Sequence, residues 1–410
     1  MKINVIGLGY IGLPTALSLA AGGLKVTGTD KKQSIVDSLQ AGDLTFKEKG
    51  LQSLFEEVKN SGNLTVTTEC VEADVYIISV PTPYIKINKR IDTTYVEGAV
   101  KDVLKVCPDG GIIAVESTIS PGTMEKYIRP LIVQSGKVPG KDVHIAHVPE
   151  RIIPGNMIYE LTHNSRTIGV DESSIGEVLR SVYSVFCQGD MVITDIKTAE
   201  MTKVIENTFR DINIAFANEL AKICRRDDMD VYEVIRVANM HPRVNILQPG
   251  PGVGGHCISV DPWFLVGDYP DIVNIIRHAR MINDEQPEYV LSRISEIMEE
   301  NNITSLSEVG LYGLTYKENV DDTRESPTLQ LLEVMKSHAA YGVKVYDPFV
   351  FADMVPNQYK DFEQFIQDVK LVVILVAHDH IKDKIDKLKG KVIFDTRNCI
   401  KNEEIHSYLL

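Results

Sequence analysis

Positive charge, cysteine and long apolar runs are all in short supply in this 410-residue sequence, and each shortage excludes something. Lys and Arg number 43 against 57 Asp and Glu, a net charge of −14. Non-specific nucleic-acid binding runs on clustered surface cations, so that balance argues against it. The six cysteines, at 70, 107, 187, 224, 257 and 399, are widely scattered. None forms a CxxC pair or stands at zinc-ligand spacing from a histidine, so no metal is expected. The scatter reads as reduced thiols in a cytoplasmic protein. No apolar run reaches the ~18 residues that suggest a membrane span. The N-terminal residues turn into a glycine loop rather than a secretory leader, so neither membrane nor export is expected. What is present is 44% hydrophobic residues, enough for large cores. At about 150 residues per domain, the length suggests two or three domains.

The first half alternates short β-branched runs with helical stretches, the pattern of a parallel sheet. Strands are predicted at Ile3–Ile6, Lys25–Thr29, Val75–Val80, Ile112–Glu116 and Val143–His147. A long helix is predicted from about Thr198 to Asp228, a stretch without Gly or Pro and with helical apolar spacing. A Pro/Gly-rich loop, "HPRVNILQPGPGVGGHC", follows over 241–257, and then a helical stretch over 271–301. A second βαβ pattern closes the chain, with strands at Val309–Gly313, Val343–Asp347, Leu371–Val376 and Val392–Asp395. The predicted fold is α/β: two doubly wound, Rossmann-like domains joined by a long central helix and a helical middle. The expected boundaries are 1–195, 196–300 and 301–410.

Gly7-Leu8-Gly9-Tyr10-Ile11-Gly12 follows the first strand and opens a helix. The first glycine permits a tight turn, the second a close approach of a pyrophosphate, and the third close helix–strand packing. Free N–H groups at the helix start would face the phosphates. Asp30 ends the next strand, eighteen residues after Gly12. A carboxylate there would hold the ribose hydroxyls and repel a 2′-phosphate, which predicts NAD rather than NADP. Thr82 and Thr118 each lie just past a strand, on the face where a cofactor would sit, although threonines are commonplace at strand ends and taken alone these would read that way.

On the long helix, Lys203, Asn207 and Arg210 share one face by their i, i+4, i+7 spacing. Taken alone, that stripe could equally be a solvated face. Cys257 stands behind Gly254-Gly255-His256, where glycines allow close approach of a substrate.

These strings occur together and in a set order. "GLGYIGLP", "VPTP", "ESTISPGT", "PER", "TAEMTKVIENTFRDINIAFANEL", "GPGVGGHC" with Asp261 four residues on, and "YGLTYKENVDDTRESP" cover nearly the whole chain. The combination resembles the UDP-glucose/UDP-N-acetylmannosamine 6-dehydrogenases. The resemblance implies NAD-dependent, four-electron oxidation of a UDP-sugar primary alcohol to a carboxylate by a homodimer. It implies Cys257 as the covalent nucleophile, Lys203 and Asn207 as oxyanion holders, Asp261 as their partner in proton handling, and Glu150 as the group that assists water. It further implies substrate contacts from Arg151, Arg210, His241, Arg243, Gly254, Tyr316 and Lys317, and a cofactor contact from Arg324.

Some residues favour the acetylmannosamine branch: Val260 before the aspartate, Arg151 after the glutamate, His256 before the cysteine, and His241-Pro242-Arg243. An Arg fork could donate to an acetamido carbonyl. UDP-N-acetylglucosamine and UDP-glucose remain alternative substrates. A one-step β-hydroxyacid dehydrogenase and a nucleotide-sugar-binding regulator are the competing function classes. The first would need neither a second α/β domain nor Cys257.

Overall fold

The computed structural model describes residues 1–255, 257–402 and 404–410. It divides into two compact units, Met1–Glu206 and Asn207–Leu410. One helix, Ile196–Arg226, runs through the division and matches the predicted long helix to within two residues at each end.

The first unit carries an eight-stranded sheet. Its strands are β1 (Lys2–Ile6), β2 (Lys25–Thr29), β3 (Leu64–Thr67), β4 (Val75–Ile78), β5 (Gly111–Val115), β6 (Val143–His147), β7 (Arg166–Val170) and β8 (Met191–Thr194). The spatial order is β3-β2-β1-β4-β5-β6-β7-β8. The first six are parallel, and the order reverses between β1 and β4, which places a ligand crevice beyond their carboxyl ends. Ile3, Val5, Val75, Ile77, Ile112 and Ala114 of these strands are buried in one core with Leu13 and Leu17 of the first helix, Gly12–Ala21.

The sheet holds three strands that were not predicted, β3, β7 and β8. β7 runs antiparallel to β6, and β8 pairs parallel with β7. Much of the chain after β6 is an irregular loop, whose Gly155 and Met157 N–H groups are bound by Glu48. One short helix, Met157–His163, lies between β6 and β7. In addition, β4 ends at Ile78 rather than Val80. The Ser117 hydroxyl takes over there, accepting from the Val80 N–H at 2.8 Å and donating to the Val80 carbonyl at 2.7 Å.

The second unit begins on the long helix. The helical stretch expected over 271–301 is two helices, Ile275–Asp284 and Gln286–Glu300. Pro287 sits in the first turn of the second, where its missing N–H costs nothing, and it disfavours continuing a helix through the residues before it. The closing sheet has strands β9 (Val309–Tyr312), β10 (Lys344–Tyr346), β11 (Gln358–Tyr359), β12 (Leu371–Ile374) and β13 (Val392–Asp395). All pair parallel, in the order β11-β10-β9-β12-β13. No helix among the described residues is long and apolar enough to cross a membrane.

Candidate active site

The glycine turn after β1 has the geometry that a dinucleotide requires. Gly7 adopts φ +90°, and a Cβ there would lie 2.3 Å from the Ser79 carbonyl oxygen. At Gly12 a Cβ would stand 1.8 Å from the Gly7 oxygen, so helix and turn pack as closely as backbone allows. Gly9 is different: it is exposed, and a Cβ there would meet nothing within 4 Å. The open space lies where a pyrophosphate would approach, and no side chain caps the helix start at Ile11. Asp30 accepts from the Leu8 N–H and the Lys32 N–H, both at 2.9 Å, so the carboxylate is anchored to the glycine turn. Tyr10 packs against Phe46 with ring centroids 4.4 Å apart. Thr82 is buried and Thr118 half-buried. These residues fit NAD: Gly7, Gly9 and Gly12 would hold its phosphates and Asp30 its ribose.

Beneath the turn lies a pair that sequence reasoning missed. Glu116, at the end of β5, is fully buried. It accepts from the Ser79 hydroxyl at 2.7 Å, the Thr15 hydroxyl at 3.2 Å and the Arg166 guanidinium at 2.8 Å. Burial pushes the Glu116 carboxyl above the usual range, and Arg166 opposes that. Arg166 also lies over the Tyr183 ring, 4.4 Å from its centroid. Removing either charge would leave the other buried without its partner, which is strongly destabilising. The pair thus ties β4, β5, β7 and the first helix together under the cofactor edge.

The first turns of the long helix reach loops of the same unit. Glu200 accepts from the Gly122 and Met124 N–H groups at 2.5 and 2.8 Å, closing the turn of "SPGT". Lys203 Nζ stands 3.9 Å from Glu150 Oε1, and both side chains are buried. The other Glu150 oxygen accepts from the Ile152 N–H at 2.6 Å, which fixes the carboxylate's orientation. His147, at the end of β6, donates through Nδ1 to the Val115 carbonyl at 2.9 Å. Burial lowers its pKa to about 3, so the ring stays neutral.

Arg151 does not present its fork to open space. Its Nε donates to both Glu206 oxygens at 2.9 Å, Nη1 to the Ser165 carbonyl and hydroxyl, and Nη2 to the Thr167 hydroxyl. The donors that an acetamido contact would need are therefore engaged within the protein, contrary to the expectation from its position after Glu150. The partners stand up to 55 residues away in sequence, which no local pattern shows.

In the second unit, the Asn207 amide donates to Asp261 at 2.6 Å, and both residues are buried. Asp261 opens the helix Asp261–Asp268, and its N–H donates to the Cys257 carbonyl at 2.8 Å. Cys257 is half-buried. Burial pushes the thiols of Cys70 and Cys107 up to about 11 and that of Cys399 up to about 12, which keeps those three protonated and inert. His256 lies outside the described residues.

The loop before Cys257 is held by asparagine side chains. Asn213 and Asn239 each exchange two hydrogen bonds with the backbone of 245–247. Asn218 accepts from the Gly250 N–H at 2.9 Å and donates to Asn283, which in turn donates to Asp211. Arg280, fully buried, pairs with Asp211 and Asp284. Closer to the cysteine, a Cβ on Gly254 would meet the Glu325 oxygen at 2.6 Å and Tyr316 at 2.8 Å. The Gly255 N–H donates to the Arg324 carbonyl at 3.0 Å. Gly254 thus brings the cysteine loop against Tyr316 and the 324–327 segment.

At the carboxyl end of the second sheet, Asp347 accepts from the N–H groups of Leu314, Thr315 and Phe349. His378 takes the Asn319 N–H on Nδ1, so its Nε2 carries the proton and faces Asp347 at 3.2 Å. This scaffold, also unforeseen, fixes the turn that carries Tyr316 and Lys317, both half-buried. Arg324 pairs with Asp322 of its own loop at 2.6 Å. Arg210, His241 and Arg243 are exposed. Among the described residues no group of His, Cys, Asp and Glu could hold a metal ion.

Residues 1–187 match the NAD binding domain of the UDP-glucose/GDP-mannose dehydrogenase family, 197–285 its central domain and 310–402 its UDP binding domain. The chain belongs to that family. It is therefore an NAD-dependent UDP-sugar dehydrogenase. It is 43% identical to a UDP-N-acetyl-D-mannosamine dehydrogenase from Methanocaldococcus jannaschii, over 98% of this chain and 93% of that one. It is 39% identical to an NDP-N-acetyl-D-galactosaminuronic acid dehydrogenase from Ralstonia nicotianae, over 96% and 95%. Among solved structures, the UDP-N-acetyl-mannosamine dehydrogenase of Staphylococcus aureus superposes with a TM-score of 0.89 at 42% identity, over 100% of this chain and 98% of that one.

Proposed function

We propose that this dehydrogenase oxidises UDP-N-acetylmannosamine to the corresponding uronate, with Cys257 as the nucleophile. The observation that carries the reading is the Asn207–Asp261 bond at the helix that starts four residues after Cys257: a buried, oriented acid–amide pair beside a half-buried thiol. NAD, which the glycine turn and Asp30 would hold, would supply the hydride acceptor for both oxidations, alcohol to aldehyde and thiohemiacetal to thioester. Cys257 adds to the aldehyde carbon, and its sulfur keeps the intermediate attached. Lys203 and Asn207 donate to the oxygen on which negative charge develops, and such donors act most strongly when pre-oriented. Asp261 takes part in carrying the hydroxyl proton away. Glu150 receives a proton from the water that attacks the thioester, which releases the acid and restores the thiol. Positioned acid–base groups of this kind are typically worth ~10² to 10⁴ in rate.

Support for the acetylmannosamine sugar comes from Val260 in place of a lysine, from His241 and Arg243 in the exposed loop, and from the sugar named for the Methanocaldococcus and Staphylococcus relatives. Lys317 and Tyr316 would contact the nucleotide sugar, Arg210 would serve the same substrate, and Arg324 would reach the cofactor. A homodimer is supported by Phe209, Phe216 and Ile223, large apolar residues at seven-residue spacing that are exposed along the long helix. The chemistry suits the cytoplasm, where UDP-sugars are made and thiols stay reduced. The uronate is the class of building block that glycosyl transfer consumes in capsule or other polysaccharide synthesis.

The test is a panel of UDP-N-acetylmannosamine, UDP-N-acetylglucosamine, UDP-N-acetylgalactosamine and UDP-glucose, with product masses. The acetylmannosamine acid should form fastest. A preference for the galacto sugar would favour the chemistry of the Ralstonia relative, and a preference for UDP-glucose would refute an acetamido substrate.

A further inference from the structure

We propose that Arg151 is a positioning residue: with Glu206 it forms a brace that sets the Glu150 carboxylate against the Lys203 ammonium. Arg151 is bonded directly to Glu150 in the chain, and Glu206 follows Lys203 by three residues, about 4.5 Å along the helix. The two pairs are therefore two rungs between the same two pieces of backbone, the 149–152 loop and one turn of the long helix.

The rungs differ in kind. Glu150 to Lys203 is long, 3.9 Å, between two buried side chains. Arg151 to Glu206 is short and forked, with Nε on both carboxylate oxygens and Nη2 2.7 Å from one of them. The other face of the fork is fixed by Ser165 and Thr167, just before and on β7. The Arg151 carbonyl also accepts from the Asn164 amide at 2.5 Å. Both braced side chains are partly exposed, so the pair adds little to overall stability. Its geometric effect is larger. A planar fork on a carboxylate fixes distance and orientation together, which a lysine at the same place would not do. A misplacement of about 1 Å at reacting groups can cost ~100-fold in rate.

The inference rests on the proposed role of Glu150, and the experiment keeps the two separable. Wild type, Arg151→Gln, Glu206→Gln, their double variant and Arg151→Lys are assayed with UDP-N-acetylmannosamine and UDP-glucose, with intact-mass detection of sugar bound to Cys257. The brace predicts that each Gln substitution lowers kcat by ~10-fold or more while KM changes by less than about threefold. It also predicts that the double variant is no worse than either single one, that Arg151→Lys recovers part of kcat, and that sugar thioester accumulates. Should a Gln variant fail to fold, Arg151→Lys against wild type carries the same kcat-against-KM comparison. A rise in KM for the acetamido sugar alone, with Glu206→Gln unaffected, would overturn the brace and make Arg151 a substrate ligand. A wild-type enzyme that forms no acid would overturn the proposed function instead.

Discussion

The first strand of each sheet ends in the same turn, and the two units put it to opposite uses. After β1, Gly7 takes φ +90° and donates to the Thr29 carbonyl at 2.8 Å; after β9, Gly313 takes φ +100° and donates to the Tyr346 carbonyl at 2.8 Å. A leucine follows each, and its N–H is taken by an aspartate at the end of the neighbouring strand, Asp30 for Leu8 and Asp347 for Leu314. The likeness stops there. In the first unit the helix begins at Gly12, no side chain caps its start, and Gly9 leaves open space. In the second the helix begins only at Pro327, and the intervening loop carries Tyr316, Lys317 and Arg324. Asp30 remains partly exposed, whereas His378 and Thr315 surround a buried Asp347. One strand–turn frame thus stays open to a pyrophosphate, as proposed, where glycine keeps it bare, and becomes a scaffold for side chains where a histidine and a threonine fill it.

Matched substitutions sharpen this contrast. The largest effect is expected from Gly7→Ala. The positive φ and the 2.3 Å approach to the Ser79 oxygen both oppose a Cβ. NAD affinity, read by calorimetry, should fall by ~100-fold or more, about 3 kcal/mol. Gly313→Ala meets Val376 at 2.6 Å and should lower the melting temperature while leaving NAD affinity intact. Equal loss of NAD binding in both variants would break the comparison.

The aspartates should separate in the same way. Asp30→Ala should weaken NAD by ~10-fold, about 1.4 kcal/mol, and relax discrimination against NADP. Asp347→Ala strips partners from three backbone N–H groups, two of them buried, and should destabilise the fold by ~1–3 kcal/mol with no change in cofactor preference. Unaltered NAD/NADP selectivity in Asp30→Ala would remove the ribose role.

A smaller effect concerns pH. Burial would raise the Asp347 carboxyl, but the hydrogen bonds from His378 and the backbone outweigh it and hold the pKa below the ordinary range. A carboxyl depressed on folding contributes stability above its unfolded pKa of about 4, and loses it as pH falls through the folded value. The acid limb of the melting curve should therefore flatten in Asp347→Asn, and an unchanged limb would contradict the assignment.

Much of this frame was legible in the sequence. Gly7, Gly9, Gly12 and Asp30 announce the first turn, because backbone conformation and a fixed spacing leave little choice of residue. The long helix was equally clear, since it lacks breakers. The antiparallel β7 was not, because its Arg166 reads as a surface charge until Glu116, fifty residues earlier, is seen beneath it. Arg151 misled for the same reason: its type suggests a ligand fork, and only its distant partners show the fork occupied. Asn218 and His378 carry no local signal at all, since their work is to hold backbone N–H groups of other segments.

In the proposed mechanism Cys257 carries the second half of a four-electron oxidation. Its most direct test is the NADH formed per UDP-N-acetylmannosamine consumed, in wild type and in Cys257→Ala. Two NADH and one carboxylate per sugar are predicted for wild type, with Cys257→Ala halting after a single slow hydride transfer and forming no acid. Steady production of the carboxylate by Cys257→Ala would contradict the account.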